Sequence, residues 1–278
     1  MSEVVDLRKI SKTEECKVDM FCKGLEYAGK THKSGYFHYT KRSSYEKMAR
    51  LIQTSDGERH HVIVTKAPYD KNDLSEGSLD RRYWYVSFTY LPHEVVLMWV
   101  MYGRYKQEAV RLRFPPRAMK EWVQQPLNNI KVYQVPDNEQ EGIYKRIKVD
   151  VVDVKLVDIG YFAKKDEVID KREGVLHRHR KYTVSIPENG IVGLKGTPNE
   201  KYMPYLKDAI WADEREVRLL LTFSKPVDYD KIAISFDGPI ADLMADSRRN
   251  VVSSPWLKGA DEALKYSVSE CAGKIADK

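Results

Sequence analysis

The chain is 278 residues long, 42% hydrophobic and 32% charged, enough apolar material for a core and enough charge to stay in solution. Its 47 basic and 41 acidic side chains leave a net charge of +6, which permits an anionic partner without identifying one. No apolar run nears the ~18 residues of a membrane span, the longest lying around Val95 to Met101, and the N-terminus shows no apolar leader. A membrane or secreted protein is therefore not expected, and a reducing cytoplasm is. Cys16, Cys22 and Cys271 are too few and wrongly spaced for a disulfide framework, a redox pair or a zinc site.

Residues 1–30 are Lys- and Glu-rich and read as an arm or a helix. Tyr36 to Thr40 is a β-favouring strand, and Ser43 or Ser44 can cap a following helix whose inner face carries Met48, Leu51 and Ile52. His61 to Thr65 is a second strand, and Pro68 to Asp80 a polar loop. Tyr83 to Thr89 reads as a mostly buried strand. Pro92 then opens a helix through Met101 that Gly103 can end. Ala109 to Phe114 is a strand stopped by Pro115-Pro116, with a short helix at Arg117 to Gln124. Val149 to Phe162 alternates as a strand, and Lys164 to Asn199, charged and broken by Gly and Pro, reads as an insertion or loop region. Tyr202 to Trp211 is predicted helical. Glu216 to Phe223 and Lys231 to Phe236 are core strands, and Asp237-Gly238-Pro239 turns into a helix at Ile240 to Arg249. Strands and helices mix without regular β-α-β alternation, which predicts an α+β fold with mixed, mostly antiparallel sheets and flanking helices. A Gly-rich dinucleotide fingerprint and a phosphate loop are both missing from the sequence.

Three separated features carry polar groups suited to chemistry. His38 and Thr40 share one face of the first strand, because i and i+2 point the same way. Ser87 and Thr89 do so on the aromatic strand. Glu214 and Glu216 stand two apart at the entrance to EVRLLLTF, where an extended segment puts both acids on one side and a cleft can tune them. Each also has a plainer reading, as a satisfied strand histidine, a β-surface hydroxyl or a solvated acidic run. Trp99 and Met98 read as core. His177-Arg178-His179-Arg180-Lys181 is a basic cluster that can hold phosphates, though charge runs usually face water. His177 with His179, and His60 with His61, have no third ligand in view, so no metal is expected.

The order His38, Ser87 with Thr89, then Glu214 with Glu216 resembles that of ADP-ribosyltransferases. YFHYT, VSFT, LMWVMYG and Trp211, Glu214, Glu216 and Arg218 as W-x-x-E-x-E-x-R also resemble a bacterial family often associated with phage defence, over roughly Tyr36 to Arg249. Val100-Met101 departs from its Ser-His, and Lys71-Asn72-Asp73 matches its acidic segment loosely. The resemblance implies an ADP-ribosyltransferase-like domain over 31–278, carrying the charged insertion near 164–199. It implies NAD as substrate, a macromolecular acceptor and a role as toxin or defence effector, with a neutralising partner plausible.

On that reading Glu216 stabilises the positive charge that develops as the nicotinamide–ribose bond breaks, and Glu214 orients or deprotonates the acceptor. His38 and Thr40 bind the adenosine-side ribose or a phosphate, and Ser87 and Thr89 position the nicotinamide side. Tyr39, Tyr85, Trp99 or Tyr102 offers a flat stacking face. Arg178, Arg180 and Lys181 pull the expected acceptor towards nucleic acid, RNA first, whereas Glu-x-Glu pulls towards protein arginine. The alternatives are an NAD glycohydrolase and a non-catalytic module binding nucleic acid or a phage protein. Glu216→Gln is expected to abolish activity with little change in the thermal midpoint.

Overall fold

The computed structural model describes residues 4–6, 12–67, 81–93, 98–99, 102, 109–138, 142–162, 167–170, 175–178, 182–186, 190–195 and 203–254. Among them the strands form a mixed, mostly antiparallel α+β arrangement. The largest sheet has six strands in the order β10 (Val151–Asp158), β17 (Glu216–Phe223), β6 (Tyr83–Thr89), β2 (Tyr36–Lys41), β7 (Ala109–Phe114) and β19 (Val251–Ser253). A four-stranded sheet runs β5 (Val62–Lys66), β18 (Lys231–Ser235), β8 (Val132–Gln134) and β9 (Lys145–Arg146). A five-stranded one runs β1 (Val4–Asp6), β15 (Gly190–Lys195), β14 (Tyr182–Ile186), β11 (Gly160–Phe162) and β16 (Leu206–Asp208). Two short ribbons pair β3 (Ile52–Gln53) with β4 (Arg59–His60) and β12 (Glu167–Asp170) with β13 (Val175–Arg178).

The main core lies on one face of the six-stranded sheet. Trp84, Val86 and Phe88 of β6 meet Val217, Leu219, Leu221 and Phe223 of β17 there, together with Ile232 and Ile234 of β18. Over this core pack α3 (Pro116–Gln124), through Met119 and Trp122, and α4 (Asp237–Ala245), through Ile240 and Leu243. The short α5 (Ser247–Asn250) leads into β19. The four inward residues of β17 contribute about 1.5–3 kcal/mol each on burial. A one-residue slip would forfeit all four, so the alternation forces Glu216 and Arg218 onto the opposite face. That face is covered by α1 (Lys12–Gly29), whose Leu25 packs on Val157 and Leu220. The helix α2 (Arg42–Ala49) follows β2 directly.

Several expectations change. Residues 1–30 hold both the strand β1 and the helix α1. The stretch Lys164 to Asn199 is strand-rich, because its Val, Ile, Tyr and Thr runs between Gly and Pro breaks form β12 to β15. Of the expected Tyr202–Trp211 helix, the described residues, from Met203 on, form no α-helix. They form a 3-10 turn at Met203–Tyr205, the strand β16, and a second 3-10 turn at Ala209–Glu214. Pairing of β16 with β11 overrides the local helical pattern. Of the expected Pro92–Met101 helix, Met98 and Trp99 are described and helical, as is Tyr102 just beyond it. Among the described residues no helix is long and apolar enough to cross a membrane.

Candidate functional site

The six-stranded sheet forks between its two central strands. β2 pairs with β7 over all six of its residues but shares one registered pair with β6, Phe37 with Thr89. Beyond that pair β2 departs, and side chains take the place of ladder bonds. Nδ1 of His38 lies 2.9 Å from the Ser87 carbonyl, and Oγ1 of Thr65 donates to the Tyr85 carbonyl at 2.7 Å. A carbonyl only accepts, so Nδ1 of His38 carries the proton. Burial lowers the pKa of His38, which leaves it neutral with Nε2 as the acceptor.

On the face away from the core, Glu216 opens β17. The Ser87 hydroxyl donates to its Oε1 at 2.5 Å, Nε of Arg218 donates to the same oxygen at 2.9 Å, and Nζ of Lys207 reaches Oε2 at 2.9 Å. The acid is 3% exposed. Burial alone would raise its pKa, but Arg218 and Lys207 outweigh that and bring it down to about 2, so Glu216 is a stable anion. Glu214 ends the preceding 3-10 turn and meets the same Nζ of Lys207 at 2.7 Å, yet burial leaves its pKa raised. Two acids on one lysine are thus pushed apart, one firmly ionised and one more basic, a division seen where carboxylates hold different tasks. Lys207 is held strongly protonated by the pair, against the cost of its burial.

The acids converge for a different reason than alternation. Arg215 between them has φ of 48°, in the left-handed region, and this bend turns Glu214 back onto Lys207. Arg218 is 1% exposed, with its guanidinium carbon 4.0 Å above the Tyr85 ring and NH1 donating to the Pro204 carbonyl at 3.0 Å. The backbone N–H of Glu216 donates to the Tyr161 hydroxyl at 2.8 Å. Burial and the nearby Glu216 charge raise the Tyr161 pKa far above its ordinary value, so the phenol stays neutral. Trp211 flanks Lys207 at 5.4 Å, and its buried Nε1 has no hydrogen-bond partner among the described residues.

Two concavities meet at the fork. A slit of about 10 Å³ is lined by Glu214, Glu216, Ser87, Tyr39, Met98 and Tyr102, among others. At that size it admits at most a water. A larger pocket of about 510 Å³ holds His38, Thr40 and Tyr102 in its wall, so Tyr102 borders both.

The structure therefore brings Ser87, Glu214, Glu216, Tyr39 and Tyr102 together and places His38 and Thr40 in the adjoining pocket. Thr89 is fully buried, and its Oγ1 accepts the Leu91 N–H at 3.2 Å, a turn-closing bond outside both concavities. Trp99 is core as expected, with Tyr39 edge-on to it at 4.9 Å. Tyr85 lies under Arg218 rather than open to a stacking ring. Arg178 ends β13, while Arg180 and Lys181 lie outside the described residues. His60 bridges Glu58 and Asp237 at 2.8 Å each, and His61 faces the Met48 carbonyl. Among the described residues no cluster suits a metal.

Lys207 and Tyr161 carry no sequence signal, one lying in a segment with a helical pattern and the other in a strand of the adjoining sheet. Arg218 was accessible, because i+2 from Glu216 on a strand is the same face. The geometry also removes the expectation that Glu216→Gln leaves stability unchanged, since the variant strips a fully buried Arg218 of its counter-charge. Comparison of the chain with protein-family models, with curated proteins and with solved structures gives no match.

Proposed function

We propose that the chain is an NAD-dependent ADP-ribosyltransferase that modifies a macromolecule, nucleic acid or protein, as an effector of the toxin or phage-defence kind. The observation that carries this reading is the ionised carboxylate of Glu216, fixed by Ser87 in a slit where two central strands part. A fixed anion is suited to the oxocarbenium-like centre formed when the C1′–N bond of nicotinamide riboside breaks and its electron pair leaves with nicotinamide. The acceptor then attacks C1′, and its proton passes to Glu214, the more basic acid of the pair. Tyr102 gives the nicotinamide ring a flat neighbour. The present slit is too small for a ribose, so engagement requires the side chains of Met98 and Tyr102 to move outward.

A second reading, a non-catalytic binding module, is favoured by the saturation of Glu216 with three protein donors. Release of nicotinamide from NAD separates the two. The full chain is incubated with NAD alone, with RNA, and with cell protein. Release only with an acceptor supports transfer, and release with NAD alone supports hydrolysis. No release under any condition supports the binding module. Ser87→Ala, which leaves the Arg218–Glu216–Lys207 charges in place, is expected to slow release about 10- to 100-fold, in the range for loss of a positioning donor. Full activity in that variant would remove Ser87 from the chemistry.

A further inference from the structure

His60 ends the short strand β4, and both of its ring nitrogens meet carboxylates. Nδ1 lies 2.8 Å from Oδ2 of Asp237, in the first turn of α4, and Nε2 lies 2.8 Å from Oε2 of Glu58, just before β4. A carboxylate only accepts, and a neutral imidazole has one N–H and one bare lone pair. A neutral His60 would therefore turn that lone pair on an anion at one of the two contacts. Only the imidazolium donates at both, so the geometry fixes His60 as a cation. The other groups around it leave that charge in place. The Tyr133 ring of β8 lies 5.9 Å from the imidazole between centroids, and its phenol, pushed up to about 12 by burial and by Asp56, is neutral. The Tyr133 hydroxyl donates to Asp56 at 3.3 Å, and the Arg146 guanidinium of β9 stands 5.5 Å from the same ring. Of the chain neighbours, Arg59 donates to the Gln53 side chain, and His61 turns Nδ1 to the Met48 carbonyl at 3.1 Å.

We infer that His60 is a pH-operated latch, which as an imidazolium ties the β3–β4 turn to the first turn of α4 and on losing its proton lets Glu58 go. The two carboxylates differ in what else holds them. Oδ1 of Asp237 also accepts the backbone N–H of His61 at 2.7 Å, so Asp237 stays and keeps the one remaining N–H, from Nδ1. Glu58 is about half exposed, and water solvates its released charge. Burial works against the cation, but the hydrogen bonds to Asp237 and then Glu58 outweigh it and hold the His60 pKa above its ordinary 6.5. The latch is therefore fully closed below 6.5 and opens as the pH rises through the higher value of the folded state. It stands apart from the dinucleotide reading and needs no ligand.

The test is an NMR titration of the imidazole nitrogens in the full chain, from about pH 5 to about pH 9. At pH 6.5 more than half of the molecules should carry protons on both His60 nitrogens, with the midpoint above 6.5. The neutral form should keep its proton on Nδ1. Glu58→Gln and Asp237→Asn should each lower the midpoint. Asp237→Asn also touches the His61 N–H, so if it lowers the melting temperature Glu58→Gln decides alone. Hydrogen exchange, corrected for the intrinsic effect of pH, should show protection of the Thr54 and Gly57 amides falling about two- to fivefold through the same titration, the range for an exposed ion pair. The β5 amides should keep theirs. A midpoint at or below 6.5, a Glu58→Gln variant that titrates as wild type, or turn protection that ignores the titration overturns the latch.

Discussion

Ser87 donates its hydroxyl to Oε1 of Glu216 at 2.5 Å while its own main-chain carbonyl accepts Nδ1–H of His38 at 2.9 Å. One residue therefore touches the acid in the slit with its side chain and the wall of the larger pocket with its backbone. The short contact is charge-assisted, since Glu216 is anionic. The fork makes it possible. Had β2 continued to pair with β6, the Ser87 carbonyl would have faced a ladder N–H, and neither concavity would open beside it.

Glu216→Gln is expected to destabilise the fold by about 3–5 kcal/mol, the cost of leaving a buried ion without its partner. Arg218 is the group at risk, because Lys207 still has Glu214. The double variant Glu216→Gln/Arg218→Met removes the orphaned charge and is expected to recover most of that loss. Urea denaturation of wild type, single and double variants checks this. A single variant as stable as wild type would show that Arg218 is not dependent on Glu216.

Acid should act on the same contact. The Glu216 carboxyl falls to about 2 in the fold from an ordinary value of 4.5. A depressed acid contributes stability that is fully present above 4.5 and disappears as the pH falls through about 2. Its size is roughly 3 kcal/mol by linkage. Glu214, with a raised value, has the opposite sign: its contribution is present in acid and lost as the pH rises through its folded value. Urea midpoints measured from pH 6 down to pH 3, a window on the order of the shift itself, are expected to drop in wild type. The drop should be shallower in Glu216→Gln/Arg218→Met, and identical slopes would mean that Glu216 is not held ionised.

How far the sequence foretold this arrangement differs from group to group. β17 was legible because Val217, Leu219, Leu221 and Phe223 alternate without interruption, and that alternation alone puts Glu216 and Arg218 on the other face. The Ser87–Glu216 meeting was expected on resemblance, and the antiparallel register of β6 with β17 supplies its geometry. His38 and Thr40 were read as one face correctly, but which side of the sheet that face takes depends on where β2 leaves β6, and no local pattern encodes a fork. Lys207 was hidden for a related reason. It comes from β16 and looks like an ordinary surface lysine until the sheets assemble.

Arg215 is expected to gain stability on replacement by glycine. Its φ of 48° carries a cost for any residue with a Cβ, roughly 1–2 kcal/mol, while glycine adopts that conformation freely. Arg215→Gly should therefore raise unfolding stability by about 0.5–1 kcal/mol after the added chain entropy of glycine is subtracted. Arg215→Val should lower it by about 1–2 kcal/mol, because a β-branched side chain tolerates the left-handed region least. Denaturant unfolding of the two variants gives both signs. If valine is tolerated as well as glycine, the bend that turns Glu214 onto Lys207 is not imposed by the fold.

Gly29 tests the seating of α1 on the six-stranded sheet. A Cβ at this position would stand 2.5 Å from the Leu156 carbonyl oxygen and 2.8 Å from the Val157 nitrogen, both backbone atoms of β10 that cannot swing aside. Gly29→Ala must therefore lift the C-terminal turn of α1 off the sheet. That strains the bond from the Tyr36 hydroxyl to the Gly29 carbonyl, 2.7 Å in length, and loosens Leu25 from Val157 and Leu220. Overpacking of this kind costs about 1–3 kcal/mol. Hydrogen exchange is expected to show lost protection along α1 and at the β10 edge, with the core strands β6 and β17 opening at the global unfolding free energy. Unchanged protection of α1 in Gly29→Ala would mean that the helix does not rest on β10 at this distance.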